Sequence, residues 1–389
     1  MKKTDDIFFI DDNNSLVEFC KLISNETVLA LDTEFIREKS YYPKLCLVQI
    51  AAGEHLACID PLAITNLEPL LDLLYDTGKT KVLHAARQDL EIFYQLRKRL
   101  PQPIFDTQIA ATLLGFNDQI GYANLIQKML GVQLDKDQAR TDWAQRPLND
   151  KQIHYAANDV RYLSQIYPVM VEKLTAQNRV DWLSADFNEL VDTALYDIDP
   201  DKTWRRVSGH TRLKPRQLVI LQALAAWREK TAIKHDRPRR WILADDVLIN
   251  LAQQIPQDMK QLEKIRGMKP GTVEKFGETI IKTILDAKQI PEEQWPKLPA
   301  WKRSTPQQEA LIDLCMAYLK QLALQNNISP GILSNRKDME KLITGDHNIS
   351  ILQGWRKQLV GQPLLSLLQG EYSLTIKNNK IDALPVDND

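Results

Sequence analysis

Two carboxylates one residue apart at the end of an apolar run are the first candidates for chemistry. The run Val28–Leu31 predicts a buried strand, and Asp32-Thr33-Glu34 follows it. Side chains alternate faces along a strand, so Asp32 and Glu34 project from the same side. Two like charges on one face repel, and a bound cation would offset that repulsion. A strand that simply ends in solvent is the alternative interpretation.

Two further acidic positions could join this pair. Asp89 lies just inside a predicted helix that follows the strand ending at His84, and Asp159 lies on a later helix. Tyr155 precedes Asp159 by four residues, so the two side chains share a helical face. A surface position is the alternative for Asp159. Four converging carboxylates without His or Cys select hard cations, so we expect Mg²⁺ or Mn²⁺.

Such a set of ligands predicts phosphoryl chemistry. Two divalent cations about 4 Å apart would activate a water and stabilise the leaving oxygen of an in-line displacement. The Tyr155 hydroxyl, one helical turn from a predicted ligand, could orient the attacking water.

The elements that must position these residues form an α/β pattern over about 170 residues. Strands over 28–34, 45–50 and 55–60 are expected to form a meander, because residues 51–54 are turn-like. Helical and strand patterns then follow at 66–75 (helix), 81–84 (strand), 89–96 (helix), 104–106 (strand) and through Leu114 (helix). Asn149 with Gln152 predicts the start of a helix that reaches about Leu174. The fold class is α/β with a mixed sheet.

Beyond this region the pattern is all helical. Prolines at 291, 296 and 299 separate a segment near 211–290 from another near 304–376. Each contains an apolar helix, a proline and an Ile-Leu pair, at Ile242-Leu243 and at Ile332-Leu333, an offset of 90 residues. A diverged repeat is one interpretation, and chance similarity between two helical bundles is the other. The last residues are expected to be a disordered tail.

Composition restricts the class of protein. The 389 residues are 44% hydrophobic and 26% charged, with a net charge of −1, values of an ordinary soluble globular protein. No apolar run is long enough to cross a membrane and no signal peptide is evident, so we expect a cytoplasmic protein without a membrane partner. The four cysteines lack the paired spacing of a zinc site or disulfide framework. We expect a monomer.

Positive charge is concentrated between Lys202 and Arg240. Twelve Lys and Arg and only two acidic residues, Glu229 and Asp236, leave a local balance of +10. Such a block can hold phosphate backbones, although a solvated domain face would look the same. The candidates for phosphate contacts are Lys202, Arg205, Arg206, Arg212, Lys214, Arg216, Arg237, Arg239 and Arg240, with Trp204 and Trp241 as candidates for stacking.

The motifs around the acidic residues resemble a known family. Asp32-Thr-Glu34, His84-Ala-Ala-Arg-Gln-Asp89 and Tyr155-Ala-Ala-Asn-Asp159 resemble the three exonuclease motifs of the DEDD superfamily, in its tyrosine-bearing branch. The flanking residues 35–49 and 134–148 are similar to those of the bacterial ribonuclease D family. The two helical segments resemble the HRDC domains of that family, the second more loosely.

The resemblance implies an RNase H-like exonuclease domain and two all-α HRDC-like domains. The implied segments are 1–176 (exonuclease), 177–209 (acidic helical linker), 210–290 (first HRDC-like domain), 291–303 (Pro-rich linker), 304–376 (second HRDC-like domain) and 377–389 (tail). It implies a two-metal 3′–5′ exoribonuclease that releases nucleoside 5′-monophosphates from RNA, including tRNA precursors and other small structured RNAs with 3′ extensions. Asp32, Glu34, Asp89 and Asp159 would hold the metals, and Tyr155 would position the water.

Residues around the predicted metal site are candidates for contact with the RNA 3′ end. They are Thr33, Phe35, Gln49, His84, Lys136, Arg140, Trp143 and Arg146. For His84, Trp143 and Phe35 a structural role within the domain is the competing interpretation. Arg140 and Arg146 could instead pair with acidic residues nearby, namely Asp137, Asp142 or Asp150. Two alternative functions remain: the same chemistry on DNA, which the metal motifs do not separate from RNA, and a non-catalytic RNA-binding scaffold. The intact carboxylates disfavour a scaffold, because a negative pocket repels phosphate.

Overall fold

A computed structural model describes residues 2–4, 6–134, 141–298 and 304–386. The predicted RNA contacts Lys136 and Arg140 lie outside the described residues. The chain forms two compact units. The first unit comprises Met1–Glu34, Cys46–Asp192 and Lys302–Asp389, and the second comprises Phe35–Leu45 and Thr193–Trp301. Within the described residues, each helix is too short or too polar to cross a bilayer.

A seven-stranded mixed sheet is the centre of the first unit. Its strands are β1 (Lys2–Thr4), β2 (Ile7–Ile10), β3 (Val28–Ile36), β4 (Lys44–Ala52), β5 (His55–Ile59), β6 (Thr80–Leu83) and β7 (Ile104–Asp106). They lie in the order β1-β2-β5-β4-β3-β6-β7. The meander expected from β3, β4 and β5 is confirmed, because the three strands are neighbours. The strands β1 and β2 were not predicted, and β2 pairs in parallel with β5.

The helices in this part of the unit are α1 (Asn13–Leu22), α2 (Glu68–Leu74), α3 (Arg87–Arg97), α4 (Thr107–Thr112), α5 (Tyr122–Leu130), α6 (Asp150–Ala176) and α7 (Ser184–Leu190). Of these helices, α2, α3, α4 and α6 were predicted, whereas α1, α5 and α7 were not. The predicted start of α6 is confirmed, since Asn149 and Gln152 form a reciprocal capping box with bonds of 3.0 Å. Ala156, Ala157 and Val160 of α6 are fully buried. Such small side chains let a helix lie close to its neighbours.

The C-terminal helices also belong to the first unit. They are α13 (Pro306–Gln325), α14 (Pro330–Leu333), α15 (Arg336–Ile343), α16 (Gly354–Arg356) and α17 (Gln362–Leu368), with a π-helical turn at Lys357–Gly361. The segment predicted as a C-terminal tail, 377–389, begins within a hairpin. Strands β8 (Tyr372–Lys377) and β9 (Lys380–Pro385) form an antiparallel hairpin. Two asparagines at its turn, Asn378 and Asn379, take the positive φ angles that a tight hairpin requires.

A stacked pair of tryptophans joins the C-terminal helices to the α/β part of the first unit. The rings of Trp182 and Trp355 lie 4.4 Å apart and nearly parallel, and the Trp355 indole N–H donates to the Trp182 carbonyl. Arg356 bonds Asp186 at 2.7 Å. The Ser329 N–H donates to the Thr112 carbonyl at 2.8 Å. The segment predicted as a separate second helical domain is therefore packed into the same compact unit as the sheet.

The second unit is helical. It contains α8 (Pro215–Lys234), α9 (Arg239–Ile242), α10 (Asp245–Gln254), α11 (Met259–Glu263) and α12 (Pro270–Ala287), and it includes the segment that follows Glu34 in the chain. That segment is anchored by Tyr41, whose hydroxyl donates to the fully buried Glu229 at 2.6 Å. The Tyr41 and Tyr42 backbone N–H groups both donate to Asp236.

The two helical regions share an element order. In each, a 20-residue helix that starts with proline (α8, α13) precedes a four-residue helix (α9, α14) and then a helix of 10 or 8 residues (α10, α15). This order supports the diverged repeat. The division into six segments stays a prediction, and the compact units group those segments differently.

Arg146 connects the loop before α6 to strand β4 and to Asp60, the residue that follows β5. Its guanidinium bonds both carboxylate oxygens of Asp60, at 2.6 and 2.8 Å. Its remaining donors reach the carbonyls of Trp143, Gln145 and Cys46. Arg146 was predicted to contact RNA, but its five N–H groups are already used within the fold.

We expect Arg146→Ala to lower the free energy of unfolding. The side chain of Asp60 is only 4% exposed, and removing the partner of a buried carboxylate costs about 3–5 kcal/mol. Urea unfolding of the full chain measures this, with Lys44→Ala on neighbouring β4 as an exposed-cation control. A normal unfolding curve combined with weaker RNA binding would instead support the prediction that Arg146 contacts RNA.

Candidate metal centre

Three carboxylates meet at the carboxyl end of β3. Asp32 and Glu34 project from one face of β3, and Asp159 reaches the same place from α6. One carboxylate oxygen of each residue lies within 4.8 Å of the others. The expectation that these three residues converge is confirmed.

Asp89 lies beside this cluster and is oriented by Thr33. Asp89 is in the first turn of α3 and is 6% exposed. Its Oδ1 accepts a short hydrogen bond from the Thr33 hydroxyl. Thr33 faces away from its two acidic neighbours on β3, as strand alternation requires. Thr33 was predicted to bind substrate, but in the structure it holds Asp89.

Burial raises the pKa of every carboxyl in the site, and repulsion from neighbouring carboxylates adds to the shift at Asp32, Glu34 and Asp89. Burial raises the pKa of Glu34 to about 8, with Asp159 and Asp89 adding to the shift. Burial likewise raises the pKa of Asp89 and of Asp159 to about 7. The pKa of Asp32 is raised by burial, then by Asp89, Asp159 and Glu34. Four carboxyls therefore share a space that disfavours their charged forms.

The donor set fits hard divalent cations. All candidate donors are carboxylate oxygens, and among the described residues the cluster contains no His or Cys. Mg²⁺ and Mn²⁺ prefer oxygen ligands of this kind. A cation would also offset the repulsion that raises these pKa values. Asp32, Glu34 and Asp159 would hold it, with Asp89 as the adjacent fourth carboxylate.

Tyr155 lies one turn before Asp159 on α6, and Trp143 packs against it. The two rings are 6.3 Å apart with an angle of 32°. Trp143 is only 3% exposed, so the predicted stacking on an RNA base is not available to it. Burial and the three cluster carboxylates raise the pKa of the Tyr155 hydroxyl. Tyr155 is therefore a protonated phenol at neutral pH, which can donate a hydrogen bond.

His84 has a structural role at the end of β6. Its Nδ1 pairs with the Thr107 hydroxyl at 2.9 Å and its Nε2 with the Ile120 carbonyl at 3.0 Å. Both ring nitrogens are thus engaged, and the predicted contact with RNA has no nitrogen left to use. Ala85 follows with a φ of +57°, and Asp106 accepts from the Ala86 N–H at 2.8 Å. This sharp turn directs α3, and with it Asp89, toward the cluster.

Two of the other predicted RNA contacts differ in exposure. Gln49 is fully buried, so it cannot touch RNA directly, and neither of its side-chain polar atoms has a hydrogen-bond partner among the described residues. Phe35 is half-buried at the end of β3 and stays a prediction.

The basic candidates of the second unit divide into two groups. Trp204 is 2% exposed, so the predicted stacking on a base is not available to it. Arg239 lies 3.7 Å from the buried Glu229 with its side chain 38% exposed, and its contact with RNA stays a prediction. Exposed side chains remain at Lys202, Arg205, Arg206, Arg212, Lys214, Arg216, Arg237, Arg240 and Trp241.

Two residues that organise the site were not singled out from the sequence. The Tyr122 hydroxyl donates to the carbonyls of Asn158, at 3.1 Å, and Asp159, which holds the turn of α6 that carries Asp159. Asp106 caps α4 through the Gln108 and Ile109 N–H groups. An Asp-Thr at a strand end is a helix-cap signal that could have identified Asp106. Sequence alone carries no equivalent signal for Tyr122.

Comparison with known proteins agrees with this geometry. Residues 7–175 match a family model described as a 3′–5′ exonuclease, and residues 217–284 match the HRDC domain. Ribonuclease D of Sphingobium indicum is 39% identical over 377 residues, covering 96% of this chain and 97% of the relative. Ribonuclease D of Bartonella henselae is 37% identical over 365 residues, covering 92% and 89%.

A solved structure extends the similarity to three dimensions. The crystal structure of Escherichia coli RNase D, titled as an exoribonuclease involved in structured RNA processing, has a TM-score of 0.81 and 32% identity. The match covers 95% of this chain and 99% of that one. The acidic cluster on a mixed sheet, the HRDC match and these full-length similarities together show that the chain belongs to the ribonuclease D family of 3′–5′ exoribonucleases.

Proposed function

We propose that this chain removes nucleotides one at a time from RNA 3′ ends, using two divalent cations, and releases nucleoside 5′-monophosphates. The observation that carries this proposal is the convergence of Asp32, Glu34 and Asp159 beside Asp89. The substrates are structured RNAs with 3′ extensions, including tRNA precursors. Support for RNA comes from family membership, since the carboxylates themselves do not distinguish RNA from DNA.

The residues of the site have different roles in hydrolysis. Bound divalent cations would supply the positive charge that activates water and stabilises the leaving oxygen. That charge is held in place by the four carboxylates, Asp32, Glu34, Asp89 and Asp159. Thr33 keeps Asp89 in its rotamer. Tyr155, held by Trp143, keeps its phenolic proton and orients the attacking water. Mg²⁺ and Mn²⁺ both suit this oxygen set, and a cytoplasmic, monomeric enzyme stays a prediction.

Exonucleolytic action on DNA is the second candidate. A parallel time course on 3′-tailed structured RNA and on DNA of the same sequence tests the choice. Stepwise 3′ shortening of the RNA to mononucleotides, stopped by a chelator, is the expected result. Equal or faster shortening of the DNA would contradict the RNA assignment.

Asp32→Asn should abolish hydrolysis while the fold persists. Loss of a ligand should reduce kcat by more than the roughly 10–100-fold that changes in outer-shell partners cost. The same variant removes a repelling charge, so without metal its melting temperature should equal or exceed that of the wild type. Hydrolysis assays and thermal melts measure both effects.

Glu172→Gln is the matched control, because it removes an exposed carboxylate on α6. It should leave both kcat and the metal-free melting temperature unchanged. Full activity of Asp32→Asn would contradict the site assignment.

Tyr155→Phe should lower kcat with little change in RNA affinity. The substitution keeps the ring that packs on Trp143 and removes only the hydroxyl. A misplaced water costs about 100-fold, the effect of an ångström-scale displacement of a reacting group. Single-turnover rates measure the effect on the catalytic step, and affinities measured in chelator measure the effect on RNA binding. Unchanged turnover would remove the positioning role of Tyr155.

The metal-free protein should become less stable as pH rises from about 5 to 8. The folded-state pKa is about 8 for Glu34 and about 7 for Asp89 and Asp159, above the value near 4 of an unfolded carboxyl. The stability linked to these protons is full below the unfolded pKa and is lost as pH rises through 7 and 8.

Divalent cations bind the ionised carboxylates, so the increase in melting temperature on adding Mg²⁺ should grow over the same pH range. Melting curves with and without Mg²⁺ across this pH range measure the increase. Asp32→Asn should weaken the pH dependence both of the metal-free stability and of the increase caused by Mg²⁺. A metal-induced increase that is independent of pH would contradict the assignment.

A further inference from the structure

The C-terminal hairpin has one strand whose outer edge is unpaired. Lys377 of β8 lies opposite Lys380 of β9 across a two-residue turn. Residues that flank such a turn exchange backbone hydrogen bonds, and the following pairs alternate between inward and outward backbone groups. The outward residues of β8 are therefore Tyr372, Leu374 and Ile376. Within the described part of the chain, no group bonds the outward N–H and C=O of Leu374 and Ile376.

The outer edge of β9 is different, because it has a partner in the fold. Ile381 lies opposite Ile376, and its outward N–H donates to the side-chain oxygen of Gln321 on α13 at 3.5 Å. Gln321 is 9% exposed, so this contact lies within the first unit. Pro385, further along the same edge, has no N–H to offer. The edge that remains available for pairing is that of β8.

Apolar side chains are exposed along this same edge. Ile376 is 80% exposed and Tyr372 is 38% exposed, and the half-buried Leu374 lies between them on the same face of the hairpin. Natural proteins usually protect an open edge with a charge, a proline or a bulge. Residues 372–376 carry none of these, and their pairing with β9 is continuous. The edge of β8 is therefore a template for a further strand.

The sequence of this strand is complementary to itself. Two copies that run antiparallel about Leu374 place Tyr372 of one copy opposite Ile376 of the other. The same register places Glu371, which precedes β8, opposite Lys377 of the other copy. Pairs of an aromatic with a β-branched side chain, and pairs of opposite charge, both stabilise neighbouring strands. The outward backbone groups also meet in this register and can form about six hydrogen bonds.

We propose that β8 pairs with β8 of a second copy of this chain, which gives a two-fold symmetric dimer. The two hairpins then form one antiparallel sheet in the order β9-β8-β8-β9. The same surface is used by both copies, as a two-fold axis requires. Pairing along one strand edge buries little area, so the dimer is weak and dilute protein is the monomer expected from the sequence. This inference goes beyond the proposed function and does not depend on it.

Sedimentation velocity of the full chain, at protein concentrations up to about 0.5 mM, tests the dimer. The wild type should change from monomer to dimer as concentration rises. Ile376→Pro should abolish this change, because proline removes an outward N–H and leaves the bonds within the hairpin intact. A wild type that is monomeric at every concentration would overturn the proposal, as expected if a strand of a different protein were the occupant.

An exchange of charges tests the register of the pairing. Lys377→Glu should raise the dissociation constant of the dimer by about 2- to 30-fold, the effect of losing two cross-strand ion pairs. The new carboxylate faces Lys380 within its own hairpin, so the hairpin itself should not be weakened. Glu371→Lys should weaken the dimer to a similar extent. The double variant should restore association, because opposite charges again face each other.

Lys337→Glu is the matched control, because Lys337 is an exposed lysine on α15, outside the hairpin. It should leave the dissociation constant of the dimer unchanged, and circular dichroism melts confirm that each variant is folded. A double variant that associates no better than the single variants would show that the strands do not pair in this register, which would overturn the proposal. Wild-type dimerisation of Ile376→Pro would place the dimer interface elsewhere, with the same consequence.

Discussion

Electrostatic repulsion among clustered, half-buried carboxylates is the constraint on which the rest of the first unit depends. Asp32, Glu34 and Asp159 hold oxygen atoms within 4.8 Å of one another, and Asp89 adds a fourth charge nearby. Such an arrangement costs free energy unless protons or cations are bound. The fold must therefore hold these groups together by other means, and binding of cations can recover that cost. Function explains an arrangement that stability alone would disfavour.

The supports around the cluster are hydrogen bonds and packing contacts made by residues outside it. Thr33 holds Asp89, Tyr122 holds the backbone at Asp159, and Trp143 packs on Tyr155. Residues predicted to contact RNA, such as His84 and Arg146, belong to the same support. They orient the turns and loops from which the acidic side chains project. An outer layer of this kind is what keeps metal ligands in position.

The two helical regions have different surroundings despite their common element order. The C-terminal helices pack into the first unit through Trp182, Trp355 and Arg356. The second unit includes the segment that follows Glu34, anchored by Tyr41 on Glu229. It also carries the exposed side chain of Trp241. The repeated helical order therefore packs into the unit of the sheet in one case and forms most of a separate compact unit in the other.

The sequence by itself determined the chemistry and much of the topology. Strand alternation placed Asp32 and Glu34 on one face, helical spacing paired Tyr155 with Asp159, and Asn149 with Gln152 marked the start of α6. These are local properties, set by backbone geometry over a few residues. The meander of β3, β4 and β5 followed from turn residues in the same way.

Only the tertiary structure decided which polar residues are free to act. The partners of Arg146 and His84 and the burial of Gln49 and Trp143 depend on contacts between distant parts of the chain. Residue type and spacing carry no record of such contacts. The same holds for Trp241 and Lys275, which line one cavity although they lie on different helices. Packing between distant segments, rather than local preference, assigns these side chains their roles.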